Sequence, residues 1–262
     1  MSTILITNDD GAHDPGLLAL KRAVAELAEV IVLAPERNRS AVSHQITMHK
    51  PLRVKPVVLA DGSPAHTCSG SPADCVRLAA GGVLGVKPDL VISGINAGHN
   101  MGVDIYYSGT VACAREAAIN GLPSIAFSSI FPHRATIPMA QIWAACGNVA
   151  AALVAEVLQH GLPRQTLLNV NLPGLAYEQL KGSKITRIGS RSYKLEPEQR
   201  ADPFGQAYYW PVGDGPFDEH DEGTDVGAVA HGFVSITPLT LDATNYSFMD
   251  ELSQRVGVGR AD

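Results

Sequence analysis

The sequence predicts an α/β fold in which helices flank both faces of a mostly parallel sheet. Short apolar segments of strand length alternate with longer segments whose apolar residues recur at helical spacing. Glycine, proline and helix-capping residues separate the segments. Repeated strand–helix units place successive strands parallel, because each helix returns the chain to the same end of the sheet.

Strands are predicted wherever a short run of apolar and β-branched residues ends at a turn signal. The first such run stops before Asn8, the second stops at Pro35, and the third ends in the turn Asp61-Gly62, where it is read as a strand or a hairpin pair. In chain order, the predicted strands cover residues 4–7, 30–33, 52–59, 89–93, 124–127, 167–170 and 233–236.

Helices are predicted where apolar residues recur every three or four positions. They cover residues 17–27, 72–81, 110–120, 138–160 and a short segment from 224 to 231. The clearest start is Ser71, a good N-cap that is followed by Pro72 at the first helical position. The stretch 135–155 carries no formal charge, but its polar interruptions favour a packed core helix over a membrane span.

Beyond about residue 184 the pattern changes to short aromatic stretches between prolines and glycines. We expect two regions, a core over 1–183 and, over 184–262, an irregular β-rich C-terminal extension or projecting hairpin, whose last strand returns to the core. The chain begins with strand-like residues, so we expect no targeting peptide. The four cysteines lack metal or redox spacing, which indicates buried thiols in a reducing, cytoplasmic setting.

Polar clusters follow three of the predicted strands, at residues 7–11, 37–40 and 93–98. Ligands of open α/β sheets bind outside the carboxyl ends of the strands, so these clusters are expected to share one crevice. The adjacent carboxylates Asp9 and Asp10 repel each other unless a positive charge lies beside them. A hard divalent cation is the simplest solution, with Asn96 and Ser40 adding neutral oxygens. Taken alone, the segment Asp9-Asp10-Gly11 fits a turn followed by a helix cap as well as it fits a cation site.

A second signal is Tyr107-Ser108-Gly109-Thr110, which ends a glycine-containing loop and opens a helix. Its backbone N–H groups and hydroxyls suit a phosphate, although a simple N-cap at Thr110 explains the segment as well. The chain has no Walker A motif, no Gly-x-Ser-x-Gly and no His-Glu-x-x-His. Two histidines, His44 and His99, lie in the loops predicted to line the crevice. The net charge of −6 argues against a nucleic-acid polymer as partner.

Taken together, the ordered motifs resemble the SurE family of survival-protein nucleotidases. The matching segments are residues 7–11, 15–16, 34–35 with Ser40, 70–76, 93–98, Asn100, Gly102, 107–111 and 234–239. The resemblance implies a Rossmann-like core that hydrolyses nucleoside 5′- and 3′-monophosphates and trims short polyphosphate. It also implies no membrane partner, and homodimers or homotetramers formed by exchange of C-terminal segments.

The resemblance further implies one divalent cation per subunit, Mg²⁺ or Mn²⁺. At the matching positions of this sequence, its ligands would be Asp9, Asp10, Ser40 and Asn96, and Asn96 would also contact the substrate. Asn8, Ser108, Gly109 and Thr110 become the neighbours of the phosphate.

The mechanism that we hypothesise is attack of an activated water on phosphorus, with Asp9 or Asp10 orienting or deprotonating that water. Two alternatives remain at this point. The first is a regulator that binds nucleotides without turning them over. The second is a polyphosphatase, with which Arg37 and Arg39 are compatible.

Overall fold

A nine-stranded sheet forms the centre of the computed structural model, which describes residues 2–131, 137–211 and 213–259. The strands are β1 (Thr3–Thr7), β2 (Glu29–Pro35), β3 (Val54–Val58), β4 (Pro64–Cys68), β5 (Leu90–Ala97), β6 (Ser124–Ser129), β7 (Thr166–Leu172), β8 (Ser183–Ile185), β9 (Arg191–Ser192), β10 (Glu198–Ala201), β11 (Ala207–Trp210), β12 (Phe217–Asp218) and β13 (Val234–Thr240). The helices are α1 (Pro15–Val24), α2 (Pro72–Ala80), α3 (Gly109–Ile119), α4 (Met139–His160), α5 (Asp225–Ala230) and α6 (Tyr246–Val256), with 3₁₀ turns at Gly102–Tyr106 and Tyr177–Gln179.

The order of strands across the sheet is β3-β4-β2-β1-β5-β6-β7-β13-β8. The six strands from β4 to β7 run parallel, whereas β3 pairs antiparallel with β4, and β13 pairs antiparallel with β7 and parallel with β8. The predicted α/β fold with a mostly parallel sheet is therefore confirmed. Because β2, β1 and β5 are adjacent and parallel, the loops that follow them leave the same edge.

Helices cover both faces of the sheet, and the alternation of side chains along β1 divides the core between them. Ile4 and Ile6 belong to the apolar cluster under α1 and α4, whereas Leu5 belongs to the cluster under α2 and α3. All three side chains are fully buried. The sheet is thus apolar on both sides, which is what near-continuous hydrophobic strands predict.

Two helix starts can be compared with their predictions. Ser71 is the N-cap of α2, as the sequence indicated. Its hydroxyl and the Asp74 carboxylate also form a reciprocal capping box. The alternative considered for the second start, an N-cap at Thr110, is wrong. Ser108 caps α3 instead, because its Oγ accepts the N–H of Val111 and leaves Thr110 inside the first turn.

The helix α4 is long and apolar enough that length and hydropathy alone would allow it to cross a membrane. In the structure it packs against α1 and the sheet, burying one face that includes Ile142, Cys146 and Val154. Met139, the first residue of the helix, is exposed.

The strand β5 is longer than predicted, since it continues through Gly94 to Ala97 after a shift of register against β6. Gly94 has φ +125°, and a Cβ there would lie 2.3 Å from the carbonyl oxygen of Phe127. Only glycine accepts this backbone and this close approach. The irregularity carries Asn96 to the edge of the sheet where the other polar clusters lie.

The segment beyond residue 184 contacts the core through more than its last strand. In α5 the fully buried Asp225 accepts the N–H of Gly102 at 2.9 Å and the N–H of Gly189 at 2.7 Å. Its carboxylate therefore joins the 3₁₀ turn after β5 to the start of the C-terminal region. The division of the chain at residue 184 stays a prediction.

We expect Asp225→Ala to lower the free energy of unfolding by about 3 kcal/mol, because it leaves three buried N–H groups, those of Gly102, Gly189 and Val226, without an acceptor. Urea denaturation followed by circular dichroism measures the change. Asp221→Ala, at an exposed position on the same segment, serves as the control and should shift the midpoint little. Equal effects of the two substitutions would contradict this role of Asp225.

Candidate functional site

A cleft of about 310 Å³ lies at the carboxyl ends of β1, β2 and β5. The loops that follow these strands supply most of its wall, and the residues before α3 supply the rest. Its lining residues are Asp9, Asp10, Ser40, Ala41, Asn96, Ala97, His99, Asn100, Asp104, Tyr107 and Ser108. The structure therefore brings all four predicted cation ligands to one cleft.

Asp9 is the buried carboxylate of the cleft, at 4% exposure. Thr110 donates its hydroxyl to Asp9 Oδ1 at 2.5 Å. Gly109 allows the close approach, because a Cβ there would lie only 2.6 Å from the Cβ of Asp9. Burial raises the pKa of Asp9 to about 6, and repulsion from Asp10 adds to this, while the contacts with Thr110 act in the opposite direction.

Asp10 is half-buried and is oriented by the loop after β2. Its Oδ1 accepts a hydrogen bond from Asn38 Nδ2 at 2.8 Å and a longer one from Ser40 Oγ at 3.5 Å. Its Oδ2 is buried without a hydrogen-bond partner among the residues that the structure describes. Burial raises the pKa of Asp10, against these two hydrogen bonds. A buried oxygen without a donor is costly unless an ion or water satisfies it.

The loop that carries Ser40 is fixed by contacts on either side of it. The backbone N–H of Arg39 donates to the carbonyl of Asp9 at 2.7 Å, and that of Ser43 to the carbonyl of Tyr107 at 2.9 Å. Further along the loop, His44 Nε2 lies 2.7 Å from an oxygen of the buried Glu116 in α3. His44 thus contacts α3 rather than the cleft.

Asn96 presents its side chain to the cleft from the irregular end of β5. Its Nδ2 donates to the carbonyl of Gly98 at 2.8 Å, which orients the amide and leaves Oδ1 available as a ligand. Hard divalent cations prefer such a mixture of carboxylate, amide and hydroxyl oxygens. No group of three or more His, Cys, Asp or Glu side chains suited to a metal occurs in the described ranges. The donor set here, with only two carboxylates, is compatible with that result.

The residues predicted to neighbour the phosphate have different environments. Ser108 lines the cleft. Thr110 is fully buried beneath Asp9, and Gly109 packs against the same carboxylate. Asn8 does not line the cleft, since its amide exchanges two hydrogen bonds of 3.0 Å with the backbone of Gly11. Of these four residues, the structure therefore brings only Ser108 directly into the cleft.

The sequence did not single out Asp104, which also lines the cleft. Its carboxylate accepts a hydrogen bond from Arg191 Nη1 at 2.8 Å and another from the Tyr193 hydroxyl. Arg191 in turn makes a bidentate pair, both bonds 2.7 Å long, with Asp218. The partners are 87 and 27 residues apart along the chain, so no local pattern could have indicated the network.

His99 is the histidine that does reach the cleft. Its Nε2 donates to the carbonyl of Leu172 at 2.7 Å, which leaves Nδ1 as the unprotonated nitrogen of the neutral ring. Burial lowers the pKa of His99, so the ring is mostly neutral at pH 7.

The two arginines near the predicted site do not line the cleft. Arg37 is exposed, and Arg39 directs Nη2 to the carbonyl of Ser69 at 3.4 Å. Among the described lining residues there is no lysine or arginine, although three are aspartates. The electrostatic character of the cleft is therefore negative, and the arginines give no support to a polyphosphate site.

Comparison with known proteins relates the chain to one family. The family model for survival protein SurE matches residues 4–195. The chain is 49% identical over 255 residues to the 5′-nucleotidase SurE of Herpetosiphon aurantiacus, covering 97% of this chain and 98% of the relative. It is 45% identical to the protein of the same name from Chloroflexus aggregans, covering 95% and 97%. The crystal structure of the SurE protein from Aquifex aeolicus superposes with a TM-score of 0.81 at 42% identity, over 97% of this chain and 99% of that one.

We expect Arg191→Met to lower the free energy of unfolding by about 3–5 kcal/mol, because it leaves Asp104 and Asp218 poorly solvated and unpaired. Urea denaturation tests this value. Adding Asp218→Asn in the same background should recover part of the loss, since one unpaired charge is removed. Arg200→Met is the matched control, because that guanidinium pairs with Glu198 in an exposed hairpin and should contribute less than about 1 kcal/mol. A similar cost for both arginines would refute the argument.

Proposed function

The chain belongs to the survival protein SurE family, and we propose that it is a metal-dependent nucleotidase that releases phosphate from nucleoside monophosphates. The observation that carries the metal requirement is the charge of the cleft. Asp9, Asp10 and Asp104 line it, and no lysine or arginine does among the described residues. A phosphate dianion would be repelled there unless a cation bridged it to the carboxylates.

One divalent cation per subunit, Mg²⁺ or Mn²⁺, fits the residues present. Asp9, Asp10, Ser40 and Asn96 would hold it, since all four line the cleft and no described residue donates a hydrogen bond to the buried Asp10 Oδ2. When bound, such a cation neutralises charge on the phosphoryl group and lowers the pKa of a coordinated water.

Three residues of the chain act directly on the substrate or on the attacking water in this proposal. Ser108 Oγ accepts the N–H of Val111, so its own hydroxyl proton remains available to donate to a phosphoryl oxygen. Asp9 and Asp10 are the carboxylates able to orient the attacking water or accept its proton. Thr110 and Gly109 contact Asp9 on its buried side, where they hold the carboxylate in position and do not reach the phosphate. Asn8 shapes the turn after Asp9 and Asp10.

We extend the proposal to 3′-nucleotides as well as 5′-nucleotides, because the phosphate-binding groups contact only the phosphoryl end that both share. Short polyphosphate remains a further proposed substrate, without any arginine in the cleft to favour it.

The proposed setting is a cytoplasmic homodimer or homotetramer that binds neither nucleic-acid polymers nor membranes. All four cysteines are buried free thiols, as a reducing compartment favours. Exposed aromatic residues on the β10–β11 hairpin, and an α6 without any buried residue, leave apolar surface for a second subunit.

Removal of the cation should abolish turnover. We expect phosphate release from AMP, GMP and 3′-AMP at neutral pH with Mn²⁺ or Mg²⁺, and none in EDTA, because the carboxylates then repel the substrate. A colorimetric phosphate assay with all three nucleotides measures this and ranks the substrates. Turnover that persists in EDTA after dialysis would overturn the metal requirement. AMP that binds but is never hydrolysed with either metal would favour a regulator.

Asp10→Asn should lower kcat/KM for AMP at least about 100-fold, because it removes a negatively charged ligand from the cation. Calorimetric titration of Mn²⁺ should show a parallel loss of affinity. The matched control is Asp14→Asn, since this carboxylate caps α1 outside the cleft and asparagine caps a helix equally well. Full activity of the Asp10 variant at saturating Mn²⁺ would exclude Asp10 as a ligand.

A further inference from the structure

A second and larger cleft, of about 760 Å³, lies on the other side of the 3₁₀ turn Gly102–Tyr106. This turn separates the two clefts, because Tyr106 lines the second and Tyr107 lines the first. The second cleft opens between α3, the strand β13 and the segment that follows β8. Its lining residues are Ile105, Tyr106, Arg115, Thr186, Arg187, Ile188, Thr237, Pro238, Leu239, Thr240, Leu241, Asp242 and Ala243.

Arg115, on α3, is a half-buried cation without a counter-ion. Its Nη2 donates to the carbonyl of Ile105 at 3.2 Å, which is the one hydrogen bond its side chain makes within the described residues. No carboxylate of those residues lies within ion-pair distance of it. Burial also lowers the pKa of Arg115. A guanidinium taken partly out of water needs an anion to offset the lost hydration.

Arg187 adds a second guanidinium to the same cleft, and it too lacks an acidic partner in the described part of the chain. The one acidic lining residue is Asp242, whose carboxylate accepts the N–H of Thr244 at 2.9 Å and the hydroxyl of Tyr246. The Asp242 carboxylate therefore bonds to residues of the C-terminal segment and to neither arginine. The two arginines therefore leave the cleft with a net positive charge, opposite in sign to the first cleft.

The remaining wall suits an organic group as well as an anion. Ile105, Ile188 and Leu239 provide an apolar surface, and Tyr106 stands 61% exposed at the edge. Pockets for small molecules typically enclose about 300–1,000 Å³ and combine apolar walls with a few charged groups. The cleft is therefore large enough for a phosphorylated molecule with an aromatic or sugar moiety.

We propose that this second cleft binds a small phosphate-bearing molecule. Arg115 and Arg187 hold the phosphate, and Tyr106 faces the organic part. Guanidinium groups match phosphate oxygens through paired, charge-assisted hydrogen bonds. The proposal is independent of the nucleotidase activity, because it uses no residue of the first cleft and requires no turnover.

Calorimetric titration of the full chain with inorganic phosphate and with AMP, both in EDTA, tests the site. Wild type should bind one equivalent per subunit, and Arg115→Gln should weaken binding by at least about tenfold because a charge-assisted contact is lost. Arg22→Gln, an exposed arginine on α1, controls for the change in net charge. Asp10→Asn should bind like wild type, which separates this site from the first cleft.

Arg187→Gln keeps the test decisive if the Arg115 variant does not fold, because residue 187 is exposed and should tolerate the change. It should weaken binding of the same probes several-fold. Tighter binding of AMP than of phosphate would assign part of the affinity to the organic group, and equal affinities would assign it to the phosphate alone. Absence of binding up to about 10 mM, or binding that neither arginine variant alters, would overturn the proposal.

Discussion

Two adjacent carboxylates must be held side by side at the end of β1, and the candidate site depends on how the fold resists their repulsion. Asp9 is buried against the start of α3, where Thr110 donates to it and Gly109 leaves room for it. Asp10 is oriented by the loop after β2 through Asn38. Even so, burial raises the pKa of both groups, so the pair is poised to gain from a cation.

The 3₁₀ turn Gly102–Tyr106 separates two clefts of opposite charge, and residues of the C-terminal region hold it in place. Asp225 binds its first N–H, and Arg191 holds the carboxylate of Asp104 within it. Among the described residues, the lining on one side includes three aspartates and neither lysine nor arginine, and the lining on the other side includes Arg115, which has no acidic partner there. A region that the sequence presented as an extension thus shapes the site in the core.

Much of the fold could be predicted because its signals are local. Apolar runs of strand length, helical spacing and the cap at Ser71 depend on neighbours within a few residues, and these determined the element order and the parallel sheet. Parallel strands place their carboxyl ends together, so Asp9, Asp10, Ser40 and Asn96 were expected in one crevice before any contact was known. They line one cleft.

What the sequence by itself determined is therefore the sheet, its helices and the edge where polar loops meet. Only the tertiary structure decided which way the side chains in those loops point. The Asn8 amide bonds to the backbone of Gly11, and the Thr110 hydroxyl donates to Asp9. The Asp104 carboxylate pairs with Arg191, which is distant in the sequence. The reason is physical: backbone conformation follows from short-range sterics and hydrogen bonds, whereas the direction of a polar side chain depends on which distant donors and acceptors packing brings within about 3 Å of it.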